Sequence, residues 1–97
     1  MDIPRILAAM AEPTRLGAIQ IIWDGGEHCV CELMTRLNTS QSRMSRHMKV
    51  LRDAGLVTDR RDAQWVRYRR SPDMAPELAA VIDAVLAAGR KFERTAA

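Results

Sequence analysis

Ser40-Gln41-Ser42-Arg43-Met44-Ser45-Arg46-His47-Met48-Lys49-Val50-Leu51-Arg52 is the stretch whose pattern decides the fold. Wound at 3.6 residues per turn, it sorts onto two faces. Met44, His47, Met48 and Leu51 share one stripe. Ser42, Ser45, Lys49 and Arg52 share the opposite one, with Gln41 and Arg46 at its margins. Gly55 ends this helix near Ala54, and Thr39 or Ser40 accepts a hydrogen bond from the free N–H groups at its start. Just upstream, about Cys29 to Leu37 predicts a shorter helix with Leu33 and Leu37 one turn apart. Asn38-Thr39-Ser40 is a tight polar turn between the two, so the pair forms a helix-turn-helix. A recognition helix needs short hydrogen-bonding groups near its N-terminus to reach base edges, and cations further along for phosphates. Gln41, Ser42, Arg43, Ser45, Arg46, Lys49 and Arg52 are the candidates. The plainer alternative is an ordinary amphipathic surface helix, and His47 reads as a packed helix histidine, not a base or a ligand.

Working outward, the hydrophobic period changes to two from Leu56 to Arg70. Val57 to Arg61 and Trp65 to Arg70 flank Asp62-Ala63-Gln64, which predicts an antiparallel hairpin. Arg60 and Arg61 on one strand face Arg67, Arg69 and Arg70 on the other. Arginines gathered on a two-stranded ribbon repel one another unless a polyanion is present. The hairpin therefore reads as the wing of a winged helix, placed to lie along a phosphate backbone or in a minor groove. Arg60, Arg61, Arg67 and Arg69 join the candidate DNA contacts. Trp65 and Tyr68 are expected to cover the core beneath the wing.

Residues 40 to 70 hold nine Lys/Arg against three acids, while the other 66 residues hold six against nine. The basic third points to a polyanion partner for that third only.

The rest of the chain is helical. Ile3 to Met10 makes a short helix, and Pro13 opens a second whose Leu16, Ile19, Ile22 and Trp23 run to a turn at Asp24-Gly25-Gly26. About Met74 to Phe92 forms the last helix. The expected class is mainly α with a β-hairpin wing, in the order α-α-α-α-β-β-α. Residues 1–97 form one winged helix-turn-helix domain, and a chain of this size gains from oligomerisation. The terminal helices, about 3–10 and 74–92, are expected to form a two-fold homodimer interface through Ile3, Leu7, Met10, Leu78, Val81, Ile82, Val85 and Leu86. A dimer sets two recognition helices roughly 34 Å apart, so the expected partner is double-stranded operator DNA carrying an imperfect inverted repeat.

Composition excludes several classes. The longest unbroken apolar run, Ile6 to Ala11, is too short to span a membrane or to serve as a signal-peptide core. A cytoplasmic protein with no membrane partner is expected, which makes a structural disulfide between Cys29 and Cys31 unexpected. No Gly-rich phosphate loop, nucleophile–base constellation or zinc-deaminase pattern is present, so an enzyme is not expected. A metal-buffering protein would not need the arginine wing.

Glu27-His28-Cys29-Val30-Cys31-Glu32-Leu33 resembles the metal-binding box of the arsenical-resistance repressors, in the ArsR/SmtB family of winged-helix sensors. Ser40-Gln41-Ser42, Ser45 through Arg52 and Ala54-Gly55-Leu56-Val57 resemble that family's recognition-helix signature. Glu12 through Leu16 and Trp65 through Tyr68 match its flanking helix and wing. The resemblance covers about residues 5 to 70. It implies a homodimer that represses a metal or metalloid resistance operon and leaves DNA when inducer binds.

Trivalent arsenic or antimony, the implied inducer, is soft and takes thiolate sulfur in a three-coordinate pyramid, and Cys29 and Cys31 supply two sulfurs. No organic cofactor is implied. Met34 stands where the family's box continues with a third cysteine. His28 is a possible third ligand that would suit a borderline ion such as zinc, cadmium or lead, and Asp83 lacks the histidine partners of a metal site in the last helix. Side chains at i and i+2 of a helix point about 200° apart, so ligation is expected to bend the first turn of the helix bracing the recognition helix. The alternative signal is thiol redox or persulfide chemistry at the same cysteines.

Overall fold

A computed structural model describes the backbone of residues 1–96 and the side chains of residues 1–91. Helix α1 is Ile3–Met10, α2 Pro13–Ile22, α3 Val30–Leu37, α4 Gln41–Asp53 and α5 Pro76–Ala96; strand β1 is His28–Cys29, β2 Val57–Asp62 and β3 Trp65–Arg70. Each helix boundary has a local cause. The Asp2 side chain accepts from Arg5 N–H, and Glu12 accepts from both Thr14 and Arg15 N–H, with Pro13 at the position that has no N–H to satisfy. Asn38 closes α3 in the left-handed region, Ser40 caps α4 by accepting from Arg43 N–H, and Gly55 (φ 84°) turns the chain out of α4 into β2. The last helix, expected over about 74–92, spans Pro76–Ala96 and so runs past its expected end.

The core forms where these elements cross. Met44, Met48 and Leu51 on the inner stripe of α4 are fully buried, with Ile19 and Ile22 of α2, Leu33 of α3 and Ile82 of α5. Truncating any one of these to alanine is worth about 2–5 kcal/mol. The recognition-helix candidate is thus fixed from behind, with its polar stripe left outside.

Three local features differ from the sequence expectation. A third strand, β1, precedes α3 and pairs antiparallel with β3, giving the order β1-β3-β2. Two residues are too short a segment for any period to reveal. The wing turn is shorter than expected: Asp62 pairs with Trp65, so only Ala63 and Gln64 connect the strands, and Ala63 sits at φ 56°. Trp65 does not cover the core: at the tip of the hairpin it stays 37% exposed, while Tyr68, nearer the sheet's root, is buried.

Among the described residues, no helix is long and apolar enough to cross a membrane.

Candidate nucleic-acid interface and thiol pair

On α4, Gln41, Ser42, Arg43, Ser45, Arg46, Lys49 and Arg52 are all exposed. The cations among them differ in freedom. Lys49 donates to Asp53 at 2.9 Å and Arg52 to Asp59 at 3.0 Å. Arg43 and Arg46 have no acidic partner among the described residues, and they line a basic cleft with Arg15 and His47. The leading end of α4 therefore carries the available charge, beside the short side chains that can reach bases.

His47 is half-buried and more than a packing group. Its Nδ1 lies 3.2 Å from Arg15 Nη1 and 3.6 Å from Glu12 Oε2, and Arg15 Nε donates to the Ala9 carbonyl at 2.6 Å. This network joins the end of α1, the start of α2 and the middle of α4. It holds the recognition helix against α1 and α2.

The wing arginines are largely compensated inside the molecule. Arg60 forms a forked ion pair with Glu27, Arg67 donates to Asp62 at 2.8 Å, and the Arg70 guanidinium lies 3.7 Å from the Trp23 ring centroid. Arg61 and Arg69 remain without an acidic partner among the described residues. The mutual repulsion expected from five arginines is thus mostly offset. The basic surface reduces to Arg43 and Arg46 on α4 and Arg61 and Arg69 on the wing.

The thiol pair sits where β1 becomes α3. Cys29 is not inside the helix; it is the extended N-cap (φ −66°, ψ 145°), and its sulfur accepts from Cys31 N–H at 3.3 Å. That geometry removes the premise on which the expected bend on ligation rests, that both cysteines lie inside α3. With one cysteine before the helix and the other in its first turn, the two Sγ atoms are already paired, their Cα atoms 5.1 Å apart, and α3 stays regular. The pairing also departs from the expectation of two separate thiols. Cys29 is buried and Cys31 exposed, so the pair has a closed side and an open one. The positive end of α3 lies at both sulfurs and favours thiolate.

His28 is buried beside the pair with both ring nitrogens engaged, Nδ1 with Glu32 at 2.9 Å and Nε2 with Asp24 at 2.9 and 3.0 Å. Burial alone would lower its pKa, but hydrogen bonds to Asp24 and Glu32 prevail and raise it. With each ring nitrogen held by a carboxylate, neither is left open toward the two sulfurs. Met34 packs against the core, and Asp83 accepts a hydrogen bond from the Trp23 indole. Among the described residues, no group of three or more His, Cys, Asp or Glu could hold a metal ion. The thiolate donors are the sulfurs of Cys29 and Cys31.

Of the residues expected at a dimer interface, Met10, Leu78, Ile82 and Leu86 are buried within the protomer and Val85 is half-buried. Ile3, Leu7 and Val81 are exposed and line an apolar groove between α1 and α5.

Sequence reasoning missed Glu27, Asp24 and Glu32 as supports of the box, and the Glu12–Arg15–His47 network. Glu27 and Arg60 lie 33 positions apart, and no local pattern joins them.

Comparison with known proteins places these features. Residues 12–59, from the cap of α2 into β2, match the family described as bacterial regulatory protein, arsR family. The chain is 42% identical over 79 residues to the arsenical resistance operon repressor of Escherichia coli K12, covering 81% of this chain and 68% of that protein. It is 45% identical over 71 residues to the arsenic resistance transcriptional regulator ArsR2 of Pseudomonas putida, covering 73% and 62%. The chain thus spans about two thirds of the length of these curated relatives. Among solved structures, HlyU from Vibrio cholerae superposes with a TM-score of 0.72 at 40% identity, covering 84% of each chain.

Proposed function

We propose, for a chain that belongs to the arsR family of bacterial regulatory proteins, a homodimeric repressor that binds operator DNA and releases it when trivalent arsenic or antimony bridges Cys29 and Cys31. The family is one of DNA-binding regulators, and the chain is not an enzyme. The observation that carries the inducer reading is the meeting of the two sulfurs at the start of α3, one buried and one exposed. Once a thiol reductant supplies two electrons and two protons to open the Cys29–Cys31 bond, arsenous acid approaches from the side of Cys31. Each thiol replaces one hydroxyl, which leaves as water, so two S–As bonds form, two As–O bonds break and nothing is oxidised. The third position of the pyramid is left to hydroxide or a small thiol, since His28 and Met34 are committed elsewhere.

On the DNA side, Gln41, Ser42 and Ser45 meet base edges, Arg43 and Arg46 reach bases or the nearest phosphates, and Arg61 and Arg69 of the wing follow the backbone. The inducer needs only to prefer the DNA-incompetent state, by about 1–3 kcal/mol per site for a typical coupling.

The test is fluorescence anisotropy on a duplex from the chain's own upstream region, titrated with arsenite under reducing conditions, with Cys29→Ser and Cys31→Ser alongside. Release by arsenite that either substitution abolishes is the expected result. A log–log salt slope of about −5 to −9 is expected for roughly 6–10 phosphate contacts.

One observation favours a second reading, a dithiol switch. The sulfurs are joined directly to each other, which needs no metalloid. Under that reading an oxidant removes two electrons and two protons to form the Cys29–Cys31 bond, and a reductant restores DNA binding. Release by diamide with none by arsenite would select it.

A further inference from the structure

Glu27 stands outside the helix-turn-helix and two residues before the first cysteine, yet its carboxylate holds a wing arginine. Arg60 donates Nε and Nη2 to Glu27 Oε2 and Oε1 at 2.6 and 2.8 Å. Beside it, β1 runs in register with β3, Cys29 opposite Arg67 and His28 opposite Tyr68. The segment from Glu27 to Cys29 is therefore fastened to both wing strands, by a backbone ladder to β3 and by a forked ion pair to β2. From Cys29 the wing is one ladder contact away. The recognition helix is reached through α3, which packs against it.

We propose that Glu27 is the coupling residue of the thiol pair: through it the joined or open state of the two sulfurs sets whether the wing offers Arg60 to DNA. The inference rests on the reading of Cys29 and Cys31 as the sensing pair. In the structure the sulfurs are joined and Arg60 is withheld, which is the DNA-incompetent combination. A phosphate competes for the same guanidinium face that Glu27 occupies, and the Glu27 carboxylate repels the backbone that Arg60 would otherwise meet. The pair is exposed, so the exchange is cheap in either direction. Movement of β1 as the sulfurs separate changes the reach of Glu27 toward β2, and the wing gains or loses one phosphate contact.

The deciding experiment compares the full chain with Glu27→Gln, Arg60→Gln and the double variant. Operator affinity is measured by anisotropy at several salt concentrations, with and without arsenite. Arsenite uptake is read separately from near-ultraviolet thiolate–arsenic absorbance. With open thiols, Glu27→Gln is expected to bind DNA as the unaltered chain does, and with arsenite bound it is expected to bind roughly threefold to tenfold tighter than the unaltered chain, with a salt slope steeper by about one phosphate contact. It should take up arsenite as the unaltered chain does, while the arsenite-induced weakening of DNA binding shrinks to about a third or less. In an Arg60→Gln background, Glu27→Gln should add nothing.

Equal arsenite-induced weakening in the unaltered chain and Glu27→Gln, with equal slopes, overturns this inference and leaves the metalloid reading standing. Arsenite uptake without DNA release by the unaltered chain overturns both. No uptake overturns the metalloid reading alone, and the same comparison is then made with diamide joining the thiols, where equal responses overturn the inference and unequal ones support it.

Discussion

Glu12 does two jobs with one carboxylate. It caps α2 through the N–H groups of Thr14 and Arg15, at 3.1 and 2.9 Å, and it faces His47 of α4. Burial tends to raise its pKa, but the two backbone hydrogen bonds and the nearby His47 charge outweigh this and hold it below the ordinary 4.5. A carboxyl depressed on folding stabilises the fold fully above its unfolded value, and that stabilisation fades as pH falls through the lowered one. Glu12→Ala should therefore cost about 1 kcal/mol near pH 7, and the difference from the unaltered chain should close at acid pH. Urea unfolding at fixed protein concentration and a series of pH values checks it; a gap that does not narrow as pH falls would assign the loss to packing alone. Cys29 allows a cleaner separation of structure from sensing. Its sulfur is the acceptor at the N-cap of α3, a position that serine fills well. Cys29→Ser should keep the melting temperature within a few degrees while abolishing the response to inducer. A variant that loses both would make the cysteine a folding residue first.

At the scale of elements, the wing is where charge and backbone can be tested apart. Ala63 occupies φ 56° in a two-residue turn, a conformation that suits glycine. Ala63→Gly should stabilise the chain by up to about 1 kcal/mol, seen as a higher urea midpoint at unchanged m. Arg61 and Arg69 lack acidic partners among the described residues, whereas Arg67 is held by Asp62. Arg61→Ala and Arg69→Ala should each make the salt slope shallower by about one, and Arg67→Ala should change it less. A larger effect at Arg67 would mean that DNA displaces Asp62. The sequence disclosed those elements whose signal is local. The inner stripe of Met44, Met48 and Leu51, the Ser40 cap and the Gly55 stop each speak within a turn or two. β1 did not, because its partner strand lies some 40 positions away and two residues show no alternation. The sulfur geometry failed for the same reason. Whether Cys29 lies inside α3 or caps it decides if the sulfurs can meet, and boundaries are what pattern locates least well. The wing arginines were legible as charge but not as partners, since Arg60–Glu27 is a contact made only by the tertiary fold.

Among the described residues, α1 and α5 together leave an apolar face uncovered. Leu7 on α1 and Val81 on α5 are 47% and 45% exposed, and Ile3 is exposed beside them. Grooves of about 280 and 290 Å³ run along this face, the second extending past Leu7 to Leu16 and Val85. The buried members of the same helices, Ile6, Met10, Leu78, Ile82 and Leu86, keep α1 and α5 folded on the protomer without help from a partner. A charge at an exposed position should therefore separate subunits without unfolding them. Leu7→Glu and Val81→Glu should each sediment as monomers at concentrations where the unaltered chain is dimeric, with unchanged far-ultraviolet circular dichroism. The DNA consequence follows from linkage of the two reading heads. Affinity for a duplex with both half-sites should fall by about 10²–10⁴, because the second head no longer binds from the same molecule. Affinity for a single half-site should stay the same, because neither Leu7 nor Val81 lines the basic cleft of Arg43 and Arg46. If both variants remain dimeric, the interface lies on another face, and the spacing of the half-sites would have to be derived again from that geometry.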